Sequence, residues 1–198
     1  WPAGGPDFSI DFLMIPRFEE KTVEEKEHSV IVQDWKGNIC EIEKKPTPEE
    51  QAIFVKSGFI TRRWLKCPVE DRQDWEEMKR RYNAADPARL PQDAAELGRQ
   101  LRNRDYFLGP NLYGPFWQLR EWVGFEGLCM LFYDDPVLAA DMIAFWEDYI
   151  ARLLKRTFQY FIPDSIHISE DMAYKCFSMV SPEMALEQEP RIGVFICH

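Results

Sequence analysis

Two adjacent carboxylates, Glu170 and Asp171, leave the apolar run Asp164–Ser169 (DSIHIS) and are followed by Tyr174 and Lys175. Neighbouring acids repel, and a low-dielectric pocket beside them raises at least one pKa toward the range useful for acid–base work. Glu170, Asp171 and Tyr174 are the candidate catalytic groups. Lys175 is a candidate for binding substrate. The competing reading is that the acids are solvated, or paired with Lys175 or Arg120.

A second group lies upstream, in Gly114-Pro115-Phe116-Trp117. This is a turn into a helix that carries two large aromatics. Phe116 and Trp117 can wall a flat ligand or simply join the core. Arg120 and Glu121 follow one turn later. Arg120 can grip a ligand carboxylate through two parallel N–H groups. An exposed Arg–Glu neighbour pair is the plainer alternative. Arg17 is a third candidate, in the loop after the first apolar run. His167, between Ile166 and Ile168, reads as a core histidine. Cys197-His198 offers two ligands without partners, and no metal site is assigned.

The elements that position these residues follow from periodicity. Ser9–Ile15 (SIDFLMI) reads as a buried strand ended by Pro16, and Glu19–Glu27 as a solvated helix or loop. Ser29–Ile42 reads as a β-hairpin. Gly37 and Asn38 stand where its turn needs positive φ. Phe59–Lys66 is a further strand. Asp71–Tyr82 and Pro91–Asn103 are amphipathic helices. Tyr106–Leu108 is a short strand before the turn residues Gly109-Pro110-Asn111. Phe116–Val123 and Phe125–Tyr133 are short helices broken at Gly124. The longest helix runs over Pro136–Phe161, with Asp135 as N-cap and Pro136 at the first position. Asp164–Ser169 is a strand, Ser181–Glu189 a short helix, and Ile192–Ile196 one more strand.

Strands alternating with long helices predict parallel βα units. A complete barrel of this kind takes about 250 residues, and three or four core strands are visible here. The expected fold is α/β: the first half of an incomplete (β/α)8 TIM barrel. It forms one domain over residues 1–198, with a β-hairpin and strand excursion at 28–66 and an atypical or truncated tail at 192–198. Barrel chemistry collects where strands end and loops begin. Arg17–Glu19, Asn111–Glu121 and Glu170–Lys175 stand at three such places.

Composition narrows the partners. Of 198 residues, 24 are Lys or Arg and 34 Asp or Glu, for a net charge of −10. That surface repels phosphate backbones, so nucleic acid is not expected as a partner. No run approaches the roughly 18 apolar residues of a membrane span. The five cysteines are odd in number and widely spaced, which is no disulfide framework. A reducing, cytoplasmic compartment is expected.

The stretches GPFWQLREWVGFEGLCMLFYDDPVLAADMI (114–143) and IHISEDMAYKCFSMVSPEMALEQEP (166–190) resemble the uroporphyrinogen decarboxylase superfamily. The likeness is strongest to its bacterial and archaeal uroporphyrinogen-decarboxylase-like branch, which includes cobamide-dependent methyltransferases. DFLMIPRFEE, the hairpin and CPVEDRQDWEEMKRRY look like the same branch. The resemblance implies a (β/α)8 barrel of which this chain is an N-terminal fragment. It also implies that Glu170, Asp171 and Phe116–Glu121 line the barrel mouth. The implied activity is methyl transfer involving a corrinoid protein. Uroporphyrinogen decarboxylation in porphyrin biosynthesis is the alternative. The decarboxylase's Met-Arg-Gln-Ala-Gly-Arg motif is not present, and only Arg17 occurs in a comparable loop. No cofactor is expected within this stretch. Zinc and a corrinoid enter only for the full-length protein, where zinc ligands come from the second half of the barrel. A small molecule or a corrinoid protein is the expected substrate, and a homodimer is left open. A glycosidase-like barrel using Glu170 and an inactive fragment are the remaining readings.

Overall fold

The computed structural model describes residues 8–44, 49, 62–173 and 178–181. The chain is mixed α/β, with no closed barrel among the described residues. It divides into two compact units, one of residues 14–81 and one of residues 1–13 with 82–198.

The 14–81 unit is built on an antiparallel meander of β1 (Lys21–Glu25), β2 (Ser29–Gln33), β3 (Ile39–Glu43) and β4 (Arg63–Lys66). The expected hairpin is β2–β3, in unbroken register from Ser29↔Glu43 to Gln33↔Ile39. Its turn is organised by Asp34. The Asp34 carboxylate accepts from the amides of Lys36 at 2.9 Å and Asn38 at 3.0 Å. Gly37 alone takes positive φ, at 91°. The reading of Asn38 as a second positive-φ residue is therefore corrected: its amide and side chain are held by Asp34 instead. Glu19–Glu27 is not a helix or loop throughout. Residues 21–25, though all exposed, form β1 because β2 supplies a ladder for its backbone groups. The helix expected over Asp71–Tyr82 is α1 (Arg72–Lys79), which buries Trp75 and Met78. Asp71 caps it, accepting from the Asp74 amide at 2.9 Å.

The second unit holds α2 (Ala94–Leu101), β5 (Asn111–Tyr113), α3 (Pro115–Val123), α4 (Phe125–Asp134), α5 (Pro136–Thr157) and β6 (His167–Ser169). β5 and β6 pair in parallel, Asn111↔His167 through Tyr113↔Ser169. Three helices lie between them in sequence. Gly124, at φ 76°, ends α3 and starts α4, as the sequence predicts. Asp135 caps α5, accepting from the Leu138 amide at 2.9 Å. α5 buries its apolar stripe from Leu138 to Leu153, and the Trp146 indole donates to the Tyr113 carbonyl at 2.9 Å. That bond ties the long helix to β5. The core centres on Tyr82. Its ring stands edge-on to Trp122, Trp146 and Tyr149 at 5.4, 5.8 and 5.3 Å between centroids.

Two expected strands are corrected. Ser9–Ile15 is not a strand. The Asp11 carboxylate folds back to accept from the Leu13 amide at 3.1 Å, and the Asp11 amide goes to the Arg89 carbonyl at 2.9 Å. Local side-chain bonding displaces the extended ladder. Arg89, buried, completes the bracket by donating to the carbonyls of Asp11, Leu13 and Asn83. Tyr106–Leu108 is not a strand either. Leu108 exchanges both of its backbone bonds with Asp164, and the ladder begins only where the His167 amide reaches the Pro110 carbonyl. The strand is therefore Asn111–Tyr113, whose first residue the sequence reads as turn. Helix α2 starts at Ala94 rather than Pro91, and α5 ends at Thr157 rather than Phe161. Phe59–Thr61 and Ile192–Ile196 lie outside the described residues, as does all of the helix expected from Ser181 except Ser181 itself.

Candidate functional site

Because β5 and β6 run parallel, the residues that follow them emerge at the same end. Gly114 follows β5 and donates its amide to the Ser169 carbonyl at 2.8 Å. Pro115 then opens α3 at a position where its missing N–H costs little. Glu170 follows β6. Its two carboxylate oxygens accept separately from the first-turn amides of α3, Oε1 from Phe116 and Oε2 from Trp117, both at 2.9 Å. Amides of a first helical turn have no partner within the helix, and the dipole there favours negative charge. Glu170 supplies both needs from 54 residues away in sequence. Its pKa is nevertheless held above the ordinary glutamate value. Burial raises it, and the two amides, the Asp171 amide and the Arg120 charge recover only part of that rise.

Asp171 turns to Arg120, whose Nη1 donates to Oδ2 at 2.7 Å. Arg120 also lies over the Trp117 ring, 5.1 Å from its centroid. Trp117 in turn stacks on Tyr113 at 5.2 Å and 20°. The stack therefore runs from β5 through Trp117 to Arg120, and Asp171 fixes its outer end. Among the described residues the buried Trp117 Nε1 has no hydrogen-bond partner.

The structure thus brings together Glu170, Asp171, Trp117 and Arg120. Phe116 contributes only its amide: its ring is buried and stacks on Phe132. Glu121 stands close enough to Tyr82 for its charge to add to the rise in the phenol pKa that burial causes. Arg17 belongs to the 14–81 unit, where its guanidinium lies over Trp35. Tyr174, Lys175, Cys197 and His198 lie outside the described residues. His167 is exposed, at the start of β6, and is not a core residue. Sequence reasoning places Tyr113 and Gly114 in the stretch after the second strand but gives neither a role of its own in the site. The Gly-Pro step before an aromatic helix was the signal for both.

The arrangement divides the labour. Glu170 spends both oxygens on backbone amides. Asp171 and Arg120 are the partly exposed charged pair, able to exchange a hydrogen bond or accept an anionic group. Among the described residues no three His, Cys, Asp or Glu side chains gather as a metal ion requires. No helix formed by them is long and apolar enough to cross a membrane. No family model, curated protein or solved structure matches the chain.

Proposed function

We propose that this chain is part of a uroporphyrinogen-decarboxylase-like (β/α)8 barrel enzyme of the cytoplasm, and that its reaction is methyl transfer involving a corrinoid protein. The reading rests on the sequence resemblance of residues 114–143 and 166–190, and one structural observation carries it. Arg120 and Asp171 meet at 2.7 Å across the carboxyl ends of two adjacent parallel strands. That is the end at which barrel enzymes assemble their chemistry. In this reading Arg120 holds an anionic group of the substrate. Asp171 orients Arg120 and exchanges a hydrogen bond with the ligand. Trp117 forms an apolar wall, and Glu170 fixes the helix that carries both Trp117 and Arg120. The described residues offer no zinc ligand set, so no step is assigned to a metal.

The test uses the full-length protein with methylcobalamin and a thiol acceptor. Thiol-dependent loss of the methylcobalamin spectrum is expected, slowed at least about tenfold by Arg120→Ala. Carbon dioxide release from uroporphyrinogen, without corrinoid conversion, would assign the decarboxylase reaction instead. Activity in neither assay would remove both the methyl-transfer and the decarboxylase readings.

A further inference from the structure

Glycine is used at Gly37 and Gly124 because the backbone there has φ of 91° and 76°. Gly114 differs. Its φ of −72° and ψ of 168° are extended values that any residue adopts. Conformational freedom therefore gives no reason for glycine here. Space does. A Cβ built on Gly114 would overlap Oε1, Cδ and Cγ of Glu170.

We infer that Gly114 is a positioning residue of the candidate site: it is glycine so that the Glu170 carboxyl group can lie against the backbone and reach both first-turn amides of α3. Glu170 is flexible, so an added methyl group would not break the fold. It would turn the carboxyl group out. The Phe116 and Trp117 amides would then lose their acceptors at 2.9 Å together. The start of α3 would keep the Gly114 amide bond to the Ser169 carbonyl but lose its two side-chain anchors to Glu170, and Trp117 and Arg120 ride on that helix. The inference rests on the proposed site but not on which reaction the site performs.

The experiment is a cycle of Gly114→Ala and Glu170→Ala in the full chain, read by chemical denaturation and by NMR. Gly114→Ala should lower the denaturation midpoint about as much as Glu170→Ala does. The double variant should be no less stable than Glu170→Ala alone. In Gly114→Ala the Glu170 carboxyl carbon should titrate back in the ordinary glutamate range. The Phe116 and Trp117 amide shifts should match those of Glu170→Ala. If Gly114→Ala alone does not fold, a folded double variant is the expected rescue. The inference is overturned by unchanged Glu170 titration and amide shifts in Gly114→Ala. An equal loss of stability from Gly114→Ala with and without Glu170 also overturns it, as does a double variant that fails to fold where Glu170→Ala folds. None of these readouts measures turnover, so they separate this inference from the proposed reaction.

Discussion

Arg120 and Asp171 are 51 residues apart in sequence, yet their side chains form a 2.7 Å ion pair at one end of the β5–β6 pair. The Arg120 and Asp171 side chains are 21% and 40% exposed, which sets the energy scale. Solvent screens such a pair, and its coupling should be about 0.2–1 kcal/mol. A double-mutant cycle with Arg120→Gln and Asp171→Asn, read by denaturant melts at low and high salt, checks this. The coupling should shrink with salt. A coupling of several kcal/mol that ignores salt would describe a buried structural bridge instead.

Glu170 predicts a pH dependence of definite sign. Its folded pKa lies above the unfolded value, which is about 4.3. The fold therefore binds that proton more tightly than the unfolded chain does. The resulting stabilisation is full below the unfolded value and is lost as pH rises through the folded one. Measured against Glu170→Gln, the wild-type chain should lose relative stability as pH rises across that window. A relative gain over the same window contradicts the burial argument.

The interior polar cluster makes a third prediction. Tyr82 Oη accepts from the Trp122 indole at 3.0 Å and from Gln118 Nε2 at 3.4 Å, all three residues being buried. Tyr82→Phe keeps the ring and removes an acceptor from two buried donors. It should cost about 1–3 kcal/mol in chemical denaturation. A neutral substitution would mean that the donors find other acceptors.

The hairpin turn gives a fourth. Gly37 combines φ of 91° with a Cβ position 2.8 Å from the Phe18 ring. Gly37→Ala meets both strain and overlap and should cost about 1–3 kcal/mol. Amide exchange across the Ser29–Glu43 ladder should accelerate with it. Unchanged exchange there would contradict the account of the turn.

What the sequence disclosed follows from how local each signal is. Asp135-Pro136 and Gly124 mark helix boundaries by their own backbone chemistry, and α3, α4 and α5 begin or break where they predict. The hairpin is likewise legible from Gly37 and its flanking apolar runs. Asn111–Tyr113 was hidden because a three-residue strand owes its state to its partner. Gly109-Pro110-Asn111 by itself reads as turn. SIDFLMI has the composition of a strand, but the Asp11 side chain redirects it. At the site, the proximity of Glu170, Asp171, Arg120 and Trp117 was legible from their places after successive strands. The capping of α3 by Glu170 was not, because nothing local to either segment signals the other.

The central claim is that Asp171 and Arg120 face a ligand and carry chemistry. Asp171→Asn in the full-length protein, assayed for corrinoid-dependent methyl transfer alongside thermal unfolding, tests it most directly. The account predicts an essentially unchanged melting temperature with turnover reduced about 100-fold or more. Unchanged turnover would contradict it and leave the Arg120–Asp171 bridge a purely structural contact.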